Sequence, residues 1–240
     1  MLMEGSSLGR LADDQSFPSE SALEEIFVDR FKGTSGMALV ACAAQNIDRV
    51  VTVYRAAKRT GRTLIVDAYA AEVLKATGQD SIPKPVAGWS NLAVFIPKSQ
   101  RVQLVKNNIA ALVDSYRGFR LWPEQLAEHA PSSVMVFRGW MMRDLDQAKA
   151  LTGARVFWSQ WDGYLAAQGT GAALKADCER RGIPFESIHT SGHASPGDLK
   201  RLAAAVAPKR LIPIHTFERD KFPLLFDNVA LAEDGQWIDI

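Results

Sequence analysis

Cysteine is nearly absent from this chain: Cys42 and Cys178 are the only two in 240 residues. Two thiols cannot make a disulfide framework, and a chain this long, which buries about 70% of its unfolded surface, does not require one. That usage fits a reducing cytoplasm. No charge of one sign dominates, since 28 Lys and Arg against 27 Asp and Glu leave a formal net charge of +1. The balance excludes a polybasic nucleic-acid wrapper and an acidic solvating tail, though not a localised binding groove. Long hydrophobic runs are missing as well. The apolar stretch from Met37 to Ala44 falls far short of the ~20 residues a membrane helix needs, so no membrane partner is expected. The opening MLMEGSSLGR lacks a basic-then-apolar signal pattern. Histidine is scarce too, with four in the whole chain, and where those four fall is informative.

What is present is an alternation of strand-like and helix-like segments. Ser21 and Glu24 have capping-box spacing around Leu23, Phe27 and Phe31, and Gly33 closes that helix. Met37 to Ala43 reads as a buried strand, and Asn46 caps a helix from Ile47 to Thr60 with Val50, Val51, Tyr54 and Ala57 on its apolar stripe. Thr63 to Val66 is a strand ending at Asp67, followed by a helix through Ala76 and a stop at Gly78. Pro83, Pro85 and Gly88 mark a surface loop. Beyond it, strands are expected at Leu92–Ile96, Ser133–Phe137, Arg155–Trp158, Phe185–Ile188, Arg210–Ile214 and Gln236–Ile240. Helices are expected at Val102–Tyr116, Met141–Leu151, Ala172–Arg181 (ended by Gly182) and Ser195–Val206. Such alternation with short connections predicts an α/β layered fold with a mostly parallel sheet. In these sheets functional residues gather at the carboxyl ends of strands.

Three of the four histidines, His189, His193 and His215, fall within 27 residues, and the strand pattern puts His189 and His215 at carboxyl ends. His129, beside Glu124 and Glu128, reads as a solvated surface residue. Ser195, Pro196 and Asp198 spell an S-x-x-D cap with proline at the first helical position. His193 therefore precedes a helix amino terminus, and Gly192 lets backbone approach a ligand there. Free N–H groups and the positive end of the helix dipole make that turn suitable for an anion. Two imidazoles at such a place can bind phosphate, donate a proton or ligate a metal. A strand delivering His215 is also a common way to build a zinc site. A lone histidine at a strand end is more often structural, but three of four at successive strand ends are harder to dismiss. From the residues alone, the reading stops at an anion- or metal-binding crevice.

At these residues the chain resembles the metallo-β-lactamase-fold hydrolases of the β-CASP branch, which include ribonuclease J and the pre-mRNA cleavage endonucleases. The resemblance rests on His189-Thr-Ser-Gly-His193-Ala-Ser195, on Asp198-Leu-Lys-Arg-Leu202 and on Pro208-Lys-Arg-Leu-Ile-Pro-Ile-His215. Looser likenesses are Ala44-Gln-Asn-Ile-Asp-Arg49 with Gly61 to Asp67, Phe157 to Gly163, and Asp234-Gly-Gln-Trp-Ile238. The resemblance implies a parallel-sheet β-CASP-like α/β domain plus the carboxyl-terminal remnant of a metallo-β-lactamase αββα sandwich. It divides the chain into a remnant and connector at 1–36, a β-CASP-like domain at 37–165 and a return segment at 166–240. It implies that His215 ligates metal, that His193 assists acid–base chemistry, and that His189, Ser191, Gly192 and Ser195 hold the scissile phosphate. Glu4, after Met3, inherits an acidic orienting role; without the resemblance it would read as an exposed carboxylate.

The family's two-zinc site also uses an upstream H-x-H-x-D-H motif, a further histidine and a bridging aspartate. None is found here, where the first histidine is His129. The expectation is therefore the carboxyl-terminal part of a zinc-dependent phosphodiesterase or ribonuclease. Met1-Leu2-Met3 reads as the seam, metal binding is weak, and activity waits on a missing half. Expected partners are RNA or another phosphodiester, that missing half, or a second copy of the chain. The alternative is a non-catalytic phosphate- or nucleic-acid-binding α/β module.

Remaining signals are weaker. Gly169-Thr-Gly-Ala-Ala-Leu174 has a G-x-G but no third glycine and no clear strand before it, which argues against a dinucleotide fingerprint. Arg55, Lys58, Arg59 and Arg62 form a basic cluster that either complements a helix end or touches a phosphate backbone. Trp158 and Trp161 either stack a base or pack the core.

Overall fold

The structure is a computed structural model and describes residues 1–238. In chain order its elements are β1 (Leu2–Glu4), α1 (Glu20–Lys32), β2 (Ala38–Ala41), α2 (Ile47–Arg59), β3 (Thr63–Val66), α3 (Ala68–Ala76), β4 (Leu92–Val94), α4 (Lys98–Lys106) and α5 (Ala111–Ser115). They continue as α6 (Leu126–His129), β5 (Ser133–Val136), α7 (Met142–Gln147), β6 (Arg155–Trp158), α8 (Ala172–Arg181), β7 (Phe185–Ser187), α9 (Pro196–Val206), β8 (Ile212–Ile214) and α10 (Phe222–Leu225). Among the described residues no helix is long and apolar enough to cross a membrane.

The chain forms two compact units. The larger is Ser19–Thr190, and the smaller joins Met1–Pro18 to Ser191–Ile240. These limits differ from the sequence-based division at 36/37 and 165/166. The cause is packing: α1 lies on α2, and β7 hydrogen-bonds to β6, so residues 19–36 and 166–190 belong to the large unit.

The large unit is an α/β layer structure around an all-parallel sheet of order β4-β3-β5-β2-β6-β7. Its central strands β2 and β5 are buried along their whole length, as expected where helices cover both faces. Alternation sorts their side chains cleanly. Ala38, Val40, Val134, Val136 and Phe157 face one core with Phe27, Phe31, Val50 and Val53 of α1 and α2. Leu39, Ala41, Met135, Val156 and Trp158 face the other, with Leu126, Leu145, Leu174 and Cys178 of α6, α7 and α8. Phe27, Phe31 and Phe157 meet with ring centroids 5.5, 6.4 and 5.8 Å apart.

Several local expectations need correction. The cap of α1 is Ser19, whose Oγ accepts from the Ala22 amide, not Ser21. The helix expected over Val102–Tyr116 is broken into α4 and α5, because Asn108 turns into the left-handed region at φ 56°. The expected Met141–Leu151 helix shrinks to α7, preceded by a 3-10 turn at Gly139–Met141, and Lys149 has φ 55°. Of the expected strand Gln236–Ile240, residues 236–238 are not in a strand, and the last two lie outside the described residues. Arg62 is no phosphate contact: it is 8% exposed and its guanidinium donates to the carbonyls of Gly36, Ser133 and Thr34. Trp158 is core, stacked on Phe185, whereas Trp161 is exposed and meets Tyr164 edge-on. Elsewhere the pattern holds; α8 ends at Gly182, in the left-handed conformation at φ 67° that glycine adopts without a Cβ penalty.

The small unit pairs β1 and β8 in parallel, Leu2 opposite Ile212 and Glu4 opposite Ile214. Its core gathers Met3, Leu8, Leu199, Leu211, Phe222 and Phe226. Gly5 follows β1 because nothing larger fits. A Cβ there would stand 2.6 Å from the Phe222 ring and 2.9 Å from Thr216 Oγ1.

Candidate metal centre

Within the small unit, Glu4, His193 and His215 converge from three segments, each offering a ligand atom within 4.8 Å of the others. Each position follows from local structure. Glu4 ends β1 and His215 follows β8, so the parallel pairing of those strands brings their carboxyl ends side by side. His193 sits just ahead of α9, whose start is fixed by a full capping box. Ser195 Oγ accepts from the Asp198 amide at 3.2 Å and donates to Asp198 Oδ2 at 2.7 Å. Glu4 and His193 are half-buried and His215 is exposed.

The hydrogen bonds define which nitrogens remain free. Glu4 Oε2 lies 3.0 Å from His193 Nδ1. A carboxylate only accepts, so Nδ1 carries the proton and the neutral ring keeps its lone pair on Nε2. Burial opposes ionisation of Glu4, but hydrogen bonding from Ser6, whose amide donates to Oε2 at 3.1 Å, the neighbouring His193 and the Ala194 amide outweigh it and hold the carboxyl below its usual range. Ser6 also orients the second ring. Its hydroxyl donates to the His215 carbonyl at 3.1 Å and lies 3.0 Å from His215 Nδ1. With its one proton on the carbonyl, Ser6 Oγ accepts from Nδ1–H and leaves His215 Nε2 bare as well. Metal-ligating histidines are commonly fixed this way, the second ring nitrogen donating to an oxygen. His215 has φ 48°, an uncommon conformation for a residue with a Cβ. Thr216 Oγ1, donating to the Gly5 carbonyl at 3.0 Å, ties the same turn to β1.

Other expected site residues are placed as follows. Ser191 Oγ accepts from the His193 amide at 3.2 Å, a local turn that leaves its hydroxyl proton free for another acceptor. Gly192 is exposed with open space beside it. Ser195 is buried, and its hydroxyl both donates and accepts within the cap. His189 belongs to the large unit, just past β7. Its Nδ1 is buried without a hydrogen-bond partner. Burial and then the Arg49 charge lower its pKa against the opposing pull of Asp162 and Glu20, so the ring is neutral near pH 7. His129 is exposed.

Reasoning from the sequence missed Ser6 as a positioning group, and no local signal marks it, because its partner His215 is 209 residues away. It also missed Arg49 as an organiser of the large unit's carboxyl edge. Arg49 is fully buried, bonds Glu20 at 2.8 Å, and donates to the Ser159 hydroxyl. Ser159 in turn donates to the Ile188 carbonyl at 2.6 Å. Both cysteines are buried thiols, and burial pushes Cys42 up to about 12 and Cys178 to about 11, which leaves neither reactive.

No protein-family model matches the chain, and no curated protein matches it. Its fold is similar to that in the crystal structure of a protein of unknown function from Enterococcus faecalis V583, with a TM-score of 0.68 at 18% sequence identity. That match covers 98% of this chain and 50% of the other, so the chain spans about half the length of that neighbour. A likeness at this identity concerns the fold alone.

Proposed function

We propose that the chain is the carboxyl-terminal part of a zinc-dependent hydrolase of the metallo-β-lactamase fold, acting on phosphodiesters of the RNA class. The observation that carries the reading is the convergence of Glu4, His193 and His215, at the residues that bear the family resemblance. The donor set, two imidazoles with bare Nε2 atoms and one carboxylate, suits zinc. Zinc at this site would supply a Lewis acid for a phosphoryl oxygen. In this chain alone, His215 and His193 would hold it through Nε2. In the full two-ion site His215 would remain a ligand, and His193 Nε2 would instead move a proton while Glu4 holds the Nδ1 proton and stabilises the ring when it is charged. Ser191 and the exposed Gly192 backbone offer hydrogen-bond donors to the phosphate.

Three groups are too few for a site holding two ions about 3.5–4 Å apart, so the remaining ligands come from other polypeptide. The small unit supports this. Among the described residues its sheet has two strands, and Leu2, Ile214 and Phe217 lie exposed on or just beyond them, where a stable sheet has further strands or apolar cover. The same reading places the protein in the cytoplasm, consistent with two buried, unpaired cysteines.

Calorimetric zinc titration of the purified chain, with metal content by mass spectrometry, tests the reading. We expect one weak site, lost in His215→Ala and in His193→Ala, and no hydrolysis of an RNA substrate by the chain alone. Tight binding of two zinc ions, or binding indifferent to both substitutions, refutes it.

A further inference from the structure

The large unit contains a separate cleft with which the metal centre shares no residue. Helices α3 and α4 and the turn into α5 enclose a cavity of about 500 Å³, a size typical of small-ligand pockets. Its wall includes Tyr69, two residues after Asp67 at the end of β3, and Trp140, shortly after β5. In the strand order β4-β3-β5-β2-β6-β7, neighbouring β3 and β5, whose ends carry Tyr69 and Trp140, continue in opposite directions, β3 to β4 and β5 to β6. Such a reversal is where open parallel sheets bind ligands, outside the carboxyl ends of their strands.

The chemistry of the wall is selective. Tyr69 and Trp140 are 47% and 46% exposed, large rings left in solvent at a concave site. Ser99, Gln103 and Asn107 line it with side-chain donors and acceptors that no protein partner takes among the described residues. Its one charged lining residue, Glu72, is already engaged by Lys75 at 2.7 Å and by the Tyr116 hydroxyl. The occupant's inserted part is therefore uncharged and planar, with hydrogen-bonding groups on its edge. A cation stands beside Tyr69. Arg138, after β5, donates to Asp67 and lies 5.3 Å from the Tyr69 ring centre. Asp67 also accepts from Gln100 at 2.7 Å, and Gln45 donates to the Tyr69 hydroxyl at 2.5 Å, so aromatic ring and guanidinium share one braced cluster. The Asp67 contact leaves other guanidinium N–H groups to form charge-assisted bonds.

We propose that this cleft binds a nucleotide unit, its base against Tyr69 and Trp140 and its phosphate on Arg138. The inference concerns the large unit alone and stands or falls independently of the zinc reading. The same unit can come from a free mononucleotide or from a residue of single-stranded RNA. Calorimetric titration of the full chain with AMP and UMP, and separately with a short 5′-phosphorylated oligouridylate, distinguishes the two sources. At least one arm gives saturable binding, which Trp140→Ala weakens about 10-fold, the usual loss when a stacked base loses its platform. Trp122→Ala, at an exposed tryptophan outside the cleft, keeps full affinity. AMP binds more tightly than adenosine, and ribose 5-phosphate does not bind. Binding of the mononucleotides alone assigns the site to free nucleotides, and binding of the oligonucleotide at least as tightly assigns it to RNA. Absence of binding in every arm, or equal behaviour of the two tryptophan variants, overturns the proposal.

Discussion

Removing Arg49 should unfold the large unit's carboxyl edge more than any surface change. The guanidinium is fully buried, donates from Nε to both Glu20 carboxylate oxygens at 3.2 and 3.1 Å, and from Nη2 at 2.8 Å. Arg49→Ala leaves Glu20 with Thr52 as its remaining hydrogen-bond donor, at 2.7 Å. Removing one partner of a buried pair costs about 3–5 kcal/mol. Glu20 is one-third exposed, so water screens part of that and the lower end, about 3 kcal/mol, is expected. Arg49→Met with Glu20→Met removes both charges and should cost less than the two single changes summed. Urea unfolding of the wild type, Arg49→Ala, the two methionine single variants and the double variant measures these costs. The pH dependence has a definite sign. Burial raises the Glu20 carboxyl, but Arg49 and Thr52 hold it below 4.5 in the folded state. That contribution is present above the unfolded value and is lost as pH falls through the folded one. In Arg49→Ala, burial is less opposed and the folded Glu20 carboxyl rises, so the stability that Glu20 loses on acidification becomes smaller. His189, whose pKa Arg49 helps lower, should titrate higher in the variant by NMR. A cost under about 1 kcal/mol, or an unmoved His189 titration, refutes the network.

Three further outcomes follow from the small unit. Ser195→Ala removes the α9 cap and should cost about 0.5–2 kcal/mol in urea unfolding, with faster amide exchange in the first turn of α9. Gly5→Ala drives a methyl into the Phe222 ring; overpacking of this kind costs about 1–3 kcal/mol, and limited proteolysis should cut the small unit first. Ser6→Ala releases His215 Nδ1 and should weaken zinc binding about 10–100-fold, with a change in the His215 ring tautomer visible by nitrogen NMR even without metal.

How much of this was legible in the sequence divides along contact range. Period-2 and period-3.6 patterns located β3, α2, β6 and α8 to within a residue, because each is specified by its own apolar face and by a local stop such as Gly61 or Gly182. The α9 cap was legible for the same reason: Ser195, Pro196 and Asp198 act within one turn. Failures came where a single polar residue redirected the chain, as Asn108 does between α4 and α5. The basic cluster misled because charge says nothing about burial; Arg62 spends its donors on three backbone carbonyls.

Site geometry depends on contacts the chain order hides. His193 and His215 stand out as rare residues beside a cap and a strand, so chemistry alone nominates them. Glu4 is one of many carboxylates, and only the pairing of β1 with β8 brings it beside His215, and the turn before α9 then brings His193 to its Oε2. Ser6 is less visible still, yet it decides which nitrogen of His215 is bare. The nucleotide cleft carries no motif at all. Its rings and amides come from α3, α4 and the segment after β5, and they become a site only through the strand order that reverses between β3 and β5. Residue identity thus announces reactive groups, whereas strand pairing decides which of them act together.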